Sequence, residues 1–261
     1  MGPMKAILYE PPLVSGEELD WGDNTLITPG TLAAFEQYVA ELRNRDRLTL
    51  PQLEGLRWSA EALGARLSGK EYVSGTISNE RDISSWAADA AKRTVGWEII
   101  GLTEKGEFDG KKLITRDEFT AYVPRAFGLM TTGRGLNFSD VPLSNEFRRE
   151  ILAAYENGII GGVGGNKFAP GSMLTREQAS TIIYRAMVAV LGEDTVRKAA
   201  AGNMTFKDAA KVSGYARQAV QDMANAGILV GTGDGYFRPG ESMTVEQTAV
   251  VLDRIIRTFI L

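Results

Sequence analysis

The chain has neither cysteine nor histidine among its 261 residues. Without these residue types it cannot form disulfides, thiolate nucleophiles, imidazole bases or most zinc and copper sites. We therefore expect no metal site and no cofactor.

The chain also lacks a large excess of charge of one sign and a long apolar run. Its 29 Lys and Arg residues face 33 Asp and Glu residues, for a net charge of −4, which argues against a nucleic-acid partner. No apolar run approaches the length of a membrane span, so no membrane insertion is expected. The "AILY" segment after "MGPMK" is too short for a signal-peptide core. Either a signal sequence has been removed or the protein leaves its cell without one.

What the chain does contain is one segment that occurs three times in its last two-thirds. The copies begin at Gly106, Asn166 and Gly235, so they are separated by 60 and then 69 residues. Self-similarity at a nearly fixed period is typical of repeat architectures. A module present in three copies is more often a binding surface than a single catalytic centre.

Each copy predicts a helix that begins at a threonine. Thr175 and Gln178 have the spacing of a capping box, in which the hydroxyl accepts from the N3 amide and the Gln side chain reaches back. The same spacing follows Thr115 and Thr244. Apolar residues continue each helix along one face, so three equivalent helices are expected to bury those faces against one another.

A shorter, alanine-rich helix precedes each of these segments. It follows an aspartate and an aromatic residue, which are Asp82 and Trp86, Asp140 and Phe147, and Asp208 and Tyr215. We expect this helix to stop at a glycine in the left-handed C′ conformation, namely Gly96, Gly158 or Gly227. A Gly-rich turn and a phenylalanine come next; Phe108, Phe168 and Phe237 are expected to fill the core.

The fold class predicted from these patterns is mainly α, with three helix–loop–helix repeats in a closed pseudo-threefold bundle. The repeats are expected over 77–130, 136–191 and 204–261, within a domain of residues 77–261. Residues 1–76 do not match the repeats, and two helical patterns there predict an extra N-terminal helical segment of unknown role.

The combined motif resembles the S-layer homology (SLH) domain. The resemblance covers roughly residues 77–261 and is carried by "FSDV", "NGIIGG" and "KFAPGSMLTREQA" in the second repeat. In the third it is carried by "FKDA" and "AGILVGTGDGYFRPGESMTVEQTA". The first repeat keeps Phe108 and the "TRDE" segment from Thr115, while the third has Val245 where the others have Arg116 and Arg176.

The resemblance implies an anchoring function. SLH triplets similar to this one hold proteins to the bacterial surface by binding secondary cell-wall polysaccharide. The epitope that the resemblance implies is an N-acetylmannosamine carrying a pyruvate ketal, which is a sugar with a fixed carboxylate.

Two arginines are the first candidates for binding such a ligand. Arg116 and Arg176 follow the N-cap threonines, where the helix macrodipole disfavours a cation by roughly 0.3–1 kcal/mol. Free N–H groups at a helix N-terminus attract an anion, and a guanidinium adds a planar fork suited to a carboxylate. The alternative is that each arginine is solvated and pairs loosely with Glu118 or Glu177.

The other candidates have structural alternatives as well. Asp82, Asp140 and Asp208 are either turn residues or acceptors for sugar hydroxyls. Trp86 and Tyr215 either present a face to a pyranose ring or belong to the core. The turns that contain Gly161 and Gly231 either bring backbone amides close to a ligand or use glycine only for positive φ.

Two other functions remain open at this point. An enzyme of the cell wall would need two carboxylates across a cleft. The acidic residues of the first 75 positions follow no such motif, so no catalytic residue is expected. A phage-encoded or host-associated adhesin would use the same glycan as its receptor, in which case the chain belongs to a virion rather than to the cell surface.

Overall fold

The computed structural model describes residues 77–129, 131, 135, 136 and 138–260. The helical segment predicted for residues 1–76 lies outside this range. The described residues form helices and no extended strand. The helices are α1 (Ala88–Gly96), α2 (Arg116–Phe127), α3 (Arg148–Glu156), α4 (Arg176–Leu191), α5 (Glu193–Ala199), α6 (Arg217–Asn225) and α7 (Val245–Ile255).

The capping boxes define where the second helix begins in each of the three repeats, which we call units one, two and three in chain order. Thr115, Thr175 and Thr244 are the N-caps of α2, α4 and α7, and each box is complete, with the N3 side chain bonded to the N-cap backbone. The predicted helix starts are therefore confirmed. The arginines of the first two units occupy the first helical position, as expected.

The first helix of each unit ends as predicted in two cases of three. Gly158 and Gly227 follow α3 and α6 with φ of 70° and 71°. The prediction for Gly96 is wrong, because Gly96 is the last residue of α1 and the left-handed residue is Glu98, with φ of 56°. Glu98 precedes Ile99 as Gly158 precedes Ile159, so the first unit uses a strained non-glycine residue at this position.

The three units close into a ring through their backbones. Ile114 donates to the carbonyl of Met243 (2.9 Å), Leu174 donates to Ile114 (3.1 Å) and Met243 donates to Leu174 (3.1 Å). These residues precede the three capping boxes and are fully buried. A triangle of equivalent hydrogen bonds requires a pseudo-threefold arrangement, which confirms the predicted closed bundle.

The most extensive helix pairs of the described residues form between units. The second helix of one unit packs on the first helix of the next, giving the pairs α2–α3, α4–α6 and α7–α1. The last pair joins the two ends of the described chain. Arg93 on α1 donates to both carboxylate oxygens of Asp253 on α7, at 2.6 and 2.8 Å, and this ion pair strengthens the closure.

The additional helix α5 accounts for the longer second spacing of the repeats. It lies between units two and three and packs on α4 and α6 through the buried Val196. Phe108, Phe168 and Phe237 are at most 1% exposed, so their assignment to the core is confirmed. Among the described helices, none has the length and hydropathy required to cross a membrane.

Candidate functional site

The candidate residues gather at three equivalent places between the units. We call them site A, around Arg116; site B, around Arg176; and site C, around Val245. Each site takes one part from each of the three units. The first part is the start of a second helix, and the second is the Gly-rich turn of the next unit around the ring. The third is the leading segment of the remaining unit, by which we mean the residues just before its first helix.

In site A, Arg116 reaches from unit one onto the turn of unit two. Its Nε donates to the carbonyl of Phe168 (2.9 Å), and Nη2 donates to the carbonyl of Gly161 (3.0 Å). The guanidinium also lies 4.8 Å from the centre of the Phe168 ring. The predicted residues Arg116 and Gly161 are therefore brought together.

Unit three completes site A. Glu177, beside Arg176 on α4, accepts from the backbone and the hydroxyl of Ser213, at 2.9 and 2.8 Å, and from the hydroxyl of Tyr215 at 3.2 Å. Tyr215 is 59% exposed, so its ring is available to a ligand. Burial and the charge of Glu177 raise the pKa of Tyr215.

Site B repeats this geometry with residues of units two, three and one. Arg176 donates to the carbonyls of Phe237 (2.7 Å) and Val230 (2.6 Å) and lies 4.9 Å from the Phe237 ring centre. Glu246 accepts from the backbone of Ser84 (2.8 Å), as Glu177 does from Ser213. Trp86, two residues beyond Ser84, takes the place of Tyr215 and is likewise 59% exposed.

The guanidinium groups of Arg116 and Arg176 form no salt bridge with a carboxylate among the described residues, although Glu241 and Asp208 lie close enough to raise the pKa of Arg176. Among the described residues, Arg116 and Arg176 have carbonyl partners only, and burial lowers the pKa of both. Arg185 lies close enough to Arg116 to lower that pKa further, and its hydrogen-bond partner within the described part of the chain is the carbonyl of Ile159, at 3.5 Å. Arg254 bonds the carbonyl of Ile228 at 3.2 Å in site B. A buried cation without a counter-ion is stabilised by an anionic ligand.

The helix N-termini do not supply the free amides that the sequence analysis expected. The N–H of Arg116 donates to the carbonyl of Ser172 (2.8 Å), and that of Asp117 to Pro170 (3.1 Å). Arg176 and Glu177 donate in the same way to Glu241 and Pro239. The next unit has already taken these amides, so the helix N-termini themselves offer no free N–H group to an anion.

The aspartates hold the Gly-rich turns and have a register different from the predicted one. Asp140 accepts from the N–H groups of Phe168 and Ala169, and Asp208 from those of Phe237 and Arg238, all at 2.8 Å. In unit one the equivalent residue is Asn79, whose side chain pairs with both backbone groups of Phe108. Grouping Asp82 with this set is therefore wrong, because Asp82 ends a 3₁₀ turn three residues later.

Two further alignments within the predicted set are wrong by one residue. Phe147 is the N-cap of α3, as Ala87 and Ala216 are of α1 and α6, so Glu146 and not Phe147 occupies the position of Trp86 and Tyr215. Gly231 is equivalent to Gly162 and not to Gly161. A Cβ on Gly231 would lie 2.6 Å from the carbonyl oxygen of Tyr236, so packing of the turn itself excludes a side chain there.

Site C has the same frame with different chemistry. Val245 replaces the arginine, Glu146 replaces the exposed aromatic residue and Leu102 replaces the glycine of the turn. These residues line a cavity of about 310 Å³ together with Tyr122, Lys112, Glu118 and Arg125. Both cations there have carboxylate partners: Lys112 pairs with Glu118, and Arg125 donates twice to Glu150, at 2.9 and 2.6 Å.

Sequence reasoning missed the glutamates and the second arginines of sites A and B. Glu177 and Glu246 stand in the capping segment, where an acidic residue is common for helical reasons alone. Arg185 and Arg254 have the same register in the repeats, and that recurrence was the available signal. No group of residues suited to hold a metal ion occurs in the described part of the chain.

Residues 137–180 and 205–249 match the S-layer homology domain family. These two segments lie in units two and three.

The chain is also similar to parts of larger proteins. It is 31% identical over 173 residues to an endoglucanase of Bacillus sp. (strain KSM-635), covering 66% of this chain and 18% of the endoglucanase. It is 31% identical over 171 residues to an amylopullulanase of Thermoanaerobacterium thermosulfurigenes, covering 64% of this chain and 9% of that protein. It is 28% identical over 212 residues to the surface-layer 125 kDa protein of Lysinibacillus sphaericus, covering 78% of this chain and 17% of that one. The chain therefore spans less than a fifth of each of these relatives.

Proposed function

We propose that this chain, with S-layer homology sequence in two of its three units, is a non-catalytic module that anchors a protein to the bacterial surface. The ligand is secondary cell-wall polysaccharide, and the recognised part is an amino sugar that carries a carboxylate, such as pyruvylated N-acetylmannosamine. The first unit is included as a third repeat, in a domain of residues 77–261 that follows a separate segment of residues 1–76.

One observation carries the proposal: two equivalent sites each hold a buried or half-buried arginine without a carboxylate partner. Arg116 and Arg176 are oriented by carbonyls of the next unit, so their geometry is fixed before a ligand arrives. An exposed aromatic residue belongs to each site, Tyr215 in site A and Trp86 in site B. A carboxylate on a pyranose ring complements this pair, because the arginine binds the charge and the aromatic face covers the apolar side of the sugar.

The relatives support anchoring more than any single catalytic activity. Their names include an endoglucanase, an amylopullulanase and a surface-layer protein, and the shared part is a small fraction of each. What such different proteins share is better explained by a common location than by a common reaction. Cell-surface or S-layer localisation follows from this reasoning.

The experiment that tests the proposal is calorimetric titration of the protein with a synthetic pyruvylated disaccharide and with the same disaccharide lacking the ketal. We expect binding of the first and a large loss with the second. Raising the salt concentration is expected to have a smaller effect, because a recessed carboxylate is screened less than an exposed one. Equal binding of the two sugars, combined with strong salt sensitivity, would overturn the proposal.

A second candidate role is a targeting module of a wall-degrading enzyme that uses the same glycan. The endoglucanase and amylopullulanase names favour attachment to a polysaccharide-degrading enzyme in general, and the role requires the same binding sites. Release of reducing sugar from purified cell walls by the native full-length protein would support this role. Phage structural genes beside the coding sequence would instead support an adhesin that uses the glycan as a receptor.

A further inference from the structure

Sites A and B contain arginines that have no carboxylate partner among the described residues, whereas site C contains more carboxylates than cations. We infer that it is a saccharide site of opposite preference, which takes a sugar with a free amino group and rejects the sugar with a carboxylate. The inference rests on the proposed function, since it assigns the third site of the same module.

The cations of site C are already neutralised by carboxylates of the described residues. Arg125 corresponds to Arg185 and Arg254, but it donates twice to Glu150. The positions equivalent to Glu150 are Ala90 and Ala219, so only the site C arginine has this carboxylate partner within the described units. Lys112 is bound by Glu118, which raises the pKa of the lysine. No cation lining this cavity is left to bind an anion.

The carboxylates that line the cavity outnumber its cations. Four line it and two cations face them; the carboxylates are Glu107, Asp109, Glu118 and Glu146. Glu146 stands where sites A and B have Tyr215 and Trp86, and it is exposed. A carboxylate ligand placed here would be repelled, whereas an ammonium group would be attracted.

The same cavity contains a tyrosine hydroxyl without a protein partner among the described residues. Tyr122 on α2 lines it, is only 6% exposed and has no hydrogen-bond partner among the described residues. The equivalent positions are Ile182 on α4 and Val251 on α7, so a hydroxyl occurs at this position only in site C. Burial, followed by the nearby carboxylate of Glu118, raises the pKa of Tyr122. The hydroxyl oxygen itself is open to the cavity, since Thr120 Oγ1 is the one fully buried side-chain polar atom without a partner among the described residues. A ligand N–H or O–H group can therefore reach it and replace the water there.

These features together select an amine-bearing hexosamine. Its ammonium group complements the excess of carboxylates, and its hydroxyls can pair with Tyr122 and Glu146. The cavity of about 310 Å³ is at the lower end of the range for small-molecule pockets and suits a single sugar ring.

The test is an NMR titration of the ¹⁵N-labelled full chain with D-glucosamine, N-acetyl-D-glucosamine and D-glucuronate. We expect glucosamine to shift the amides around site C and to bind about tenfold more tightly than its N-acetylated form, the scale of one charged hydrogen bond. Glucuronate is expected to leave these amides unchanged. Tyr122→Phe should weaken glucosamine binding about fivefold. It removes a hydroxyl that has no partner, so the fold should be retained. Tyr184→Phe removes a hydroxyl of α4 outside the cavity and is the matched control.

Three results would overturn the inference: no shift with glucosamine, equal binding of N-acetylglucosamine, or a response of site C to glucuronate. A parallel titration with the pyruvylated disaccharide reports on sites A and B separately. If that sugar does not bind while glucosamine does, the proposed function fails and the assignment of site C stands. The reverse pattern rejects the assignment alone.

Discussion

Sites A and C are built on the same frame, yet one leaves its arginines unneutralised and the other pairs every cation. The difference arises on the first helix that packs against each site. Ala219 on α6 leaves Arg185 without a carboxylate, whereas Glu150 on α3 neutralises Arg125. The same arginine in the same register is thus available to a ligand in one case and part of the packing in the other.

Sites A and B, by contrast, agree in almost every contact. Arg116 and Arg176 each donate to two carbonyls of the next unit. Glu177 and Glu246 each accept from the N–H of a serine. They differ around the glutamate, which receives the Tyr215 hydroxyl in site A and the ammonium group of Lys111 in site B. The two sites are therefore expected to bind the same ligand.

The largest effect should come from breaking the pair that distinguishes site C. Arg125→Ala leaves Glu150 buried without its cation, and the loss of one partner of a buried pair is expected to cost about 3 kcal/mol in the free energy of unfolding. Binding of the acidic sugar should be unchanged when measured well below the melting temperature. Denaturant unfolding and calorimetry check the two statements, and weakened sugar binding by the folded variant would contradict the comparison.

The next largest effect should be on sugar binding, when the arginines without a carboxylate partner in the described structure are replaced. Arg116→Ala and Arg176→Ala should each weaken binding at their own site by about 1.5–3 kcal/mol, the contribution of a charged hydrogen bond. The double variant should lose measurable binding of the acidic sugar.

Arg197→Ala is the matched control for this pair of variants, because Arg197 is an exposed arginine of α5 that pairs only with Glu193 in the described structure. Unchanged affinity of the folded Arg176→Ala variant would remove Arg176 from the site.

A smaller effect on stability is expected from changing the residue that accepts hydrogen bonds from the Gly-rich turn, which is Asp208 in unit three and Asn79 in unit one. Asp208→Ala leaves the N–H groups of Phe237 and Arg238 without an acceptor and should cost about 1–3 kcal/mol of stability. Asp208→Asn imitates Asn79 of unit one and should cost less. A ranking in which Asn is as harmful as Ala would contradict the equivalence of the two positions.

The stability that Asp208 contributes should also depend on pH. Burial opposes ionisation of Asp208, but the N–H groups of Phe237 and Arg238, together with its own N–H and the charge of Lys211, outweigh it, so its pKa lies below the ordinary value of 3.8. The stability that the carboxylate contributes is therefore present above pH 3.8 and is lost as the pH falls through the lower pKa of the folded state. Asp208→Asn should lack this part of the acid-induced loss in thermal melts recorded across that range.

The smallest effect concerns the exposed aromatic residues. Tyr215→Ala and Trp86→Ala should weaken sugar binding by about 0.5–1.5 kcal/mol each, through the loss of ring stacking. Stability should change by no more than about 1 kcal/mol, since both side chains are largely exposed and Tyr215 loses a single hydrogen bond to Glu177. Leu143→Ala removes an exposed apolar side chain of the second unit and serves as the control. Equal effects of all three variants would show that the aromatic positions are not special.

Much of the frame could be predicted because it depends on local pattern. The threonine capping boxes and the core phenylalanines follow from residue type and spacing, and both are confirmed. The predicted register failed in the leading segments, where turn geometry decides which residue meets the next loop. Asn79 bonds the turn in unit one, although Asp82 is the residue whose type matches Asp140 and Asp208.

The charge balance of the sites could not be predicted from the sequence. Arg125 and Glu150 are 25 residues apart, and their pairing depends on the packing of α2 against α3. The carbonyl partners of Arg116 lie 45 and 52 residues away in another unit. Local spacing identified these arginines as candidates, but only their long-range neighbours separate an arginine bonded to carbonyls from one paired with a carboxylate.

The most direct measurement is the number of acidic sugars that one chain binds, obtained by calorimetric titration with the pyruvylated disaccharide. The account predicts two equivalent sites, falling to one in Arg116→Ala or Arg176→Ala. Three sites in the unaltered protein, or two sites that persist in both variants, would contradict it.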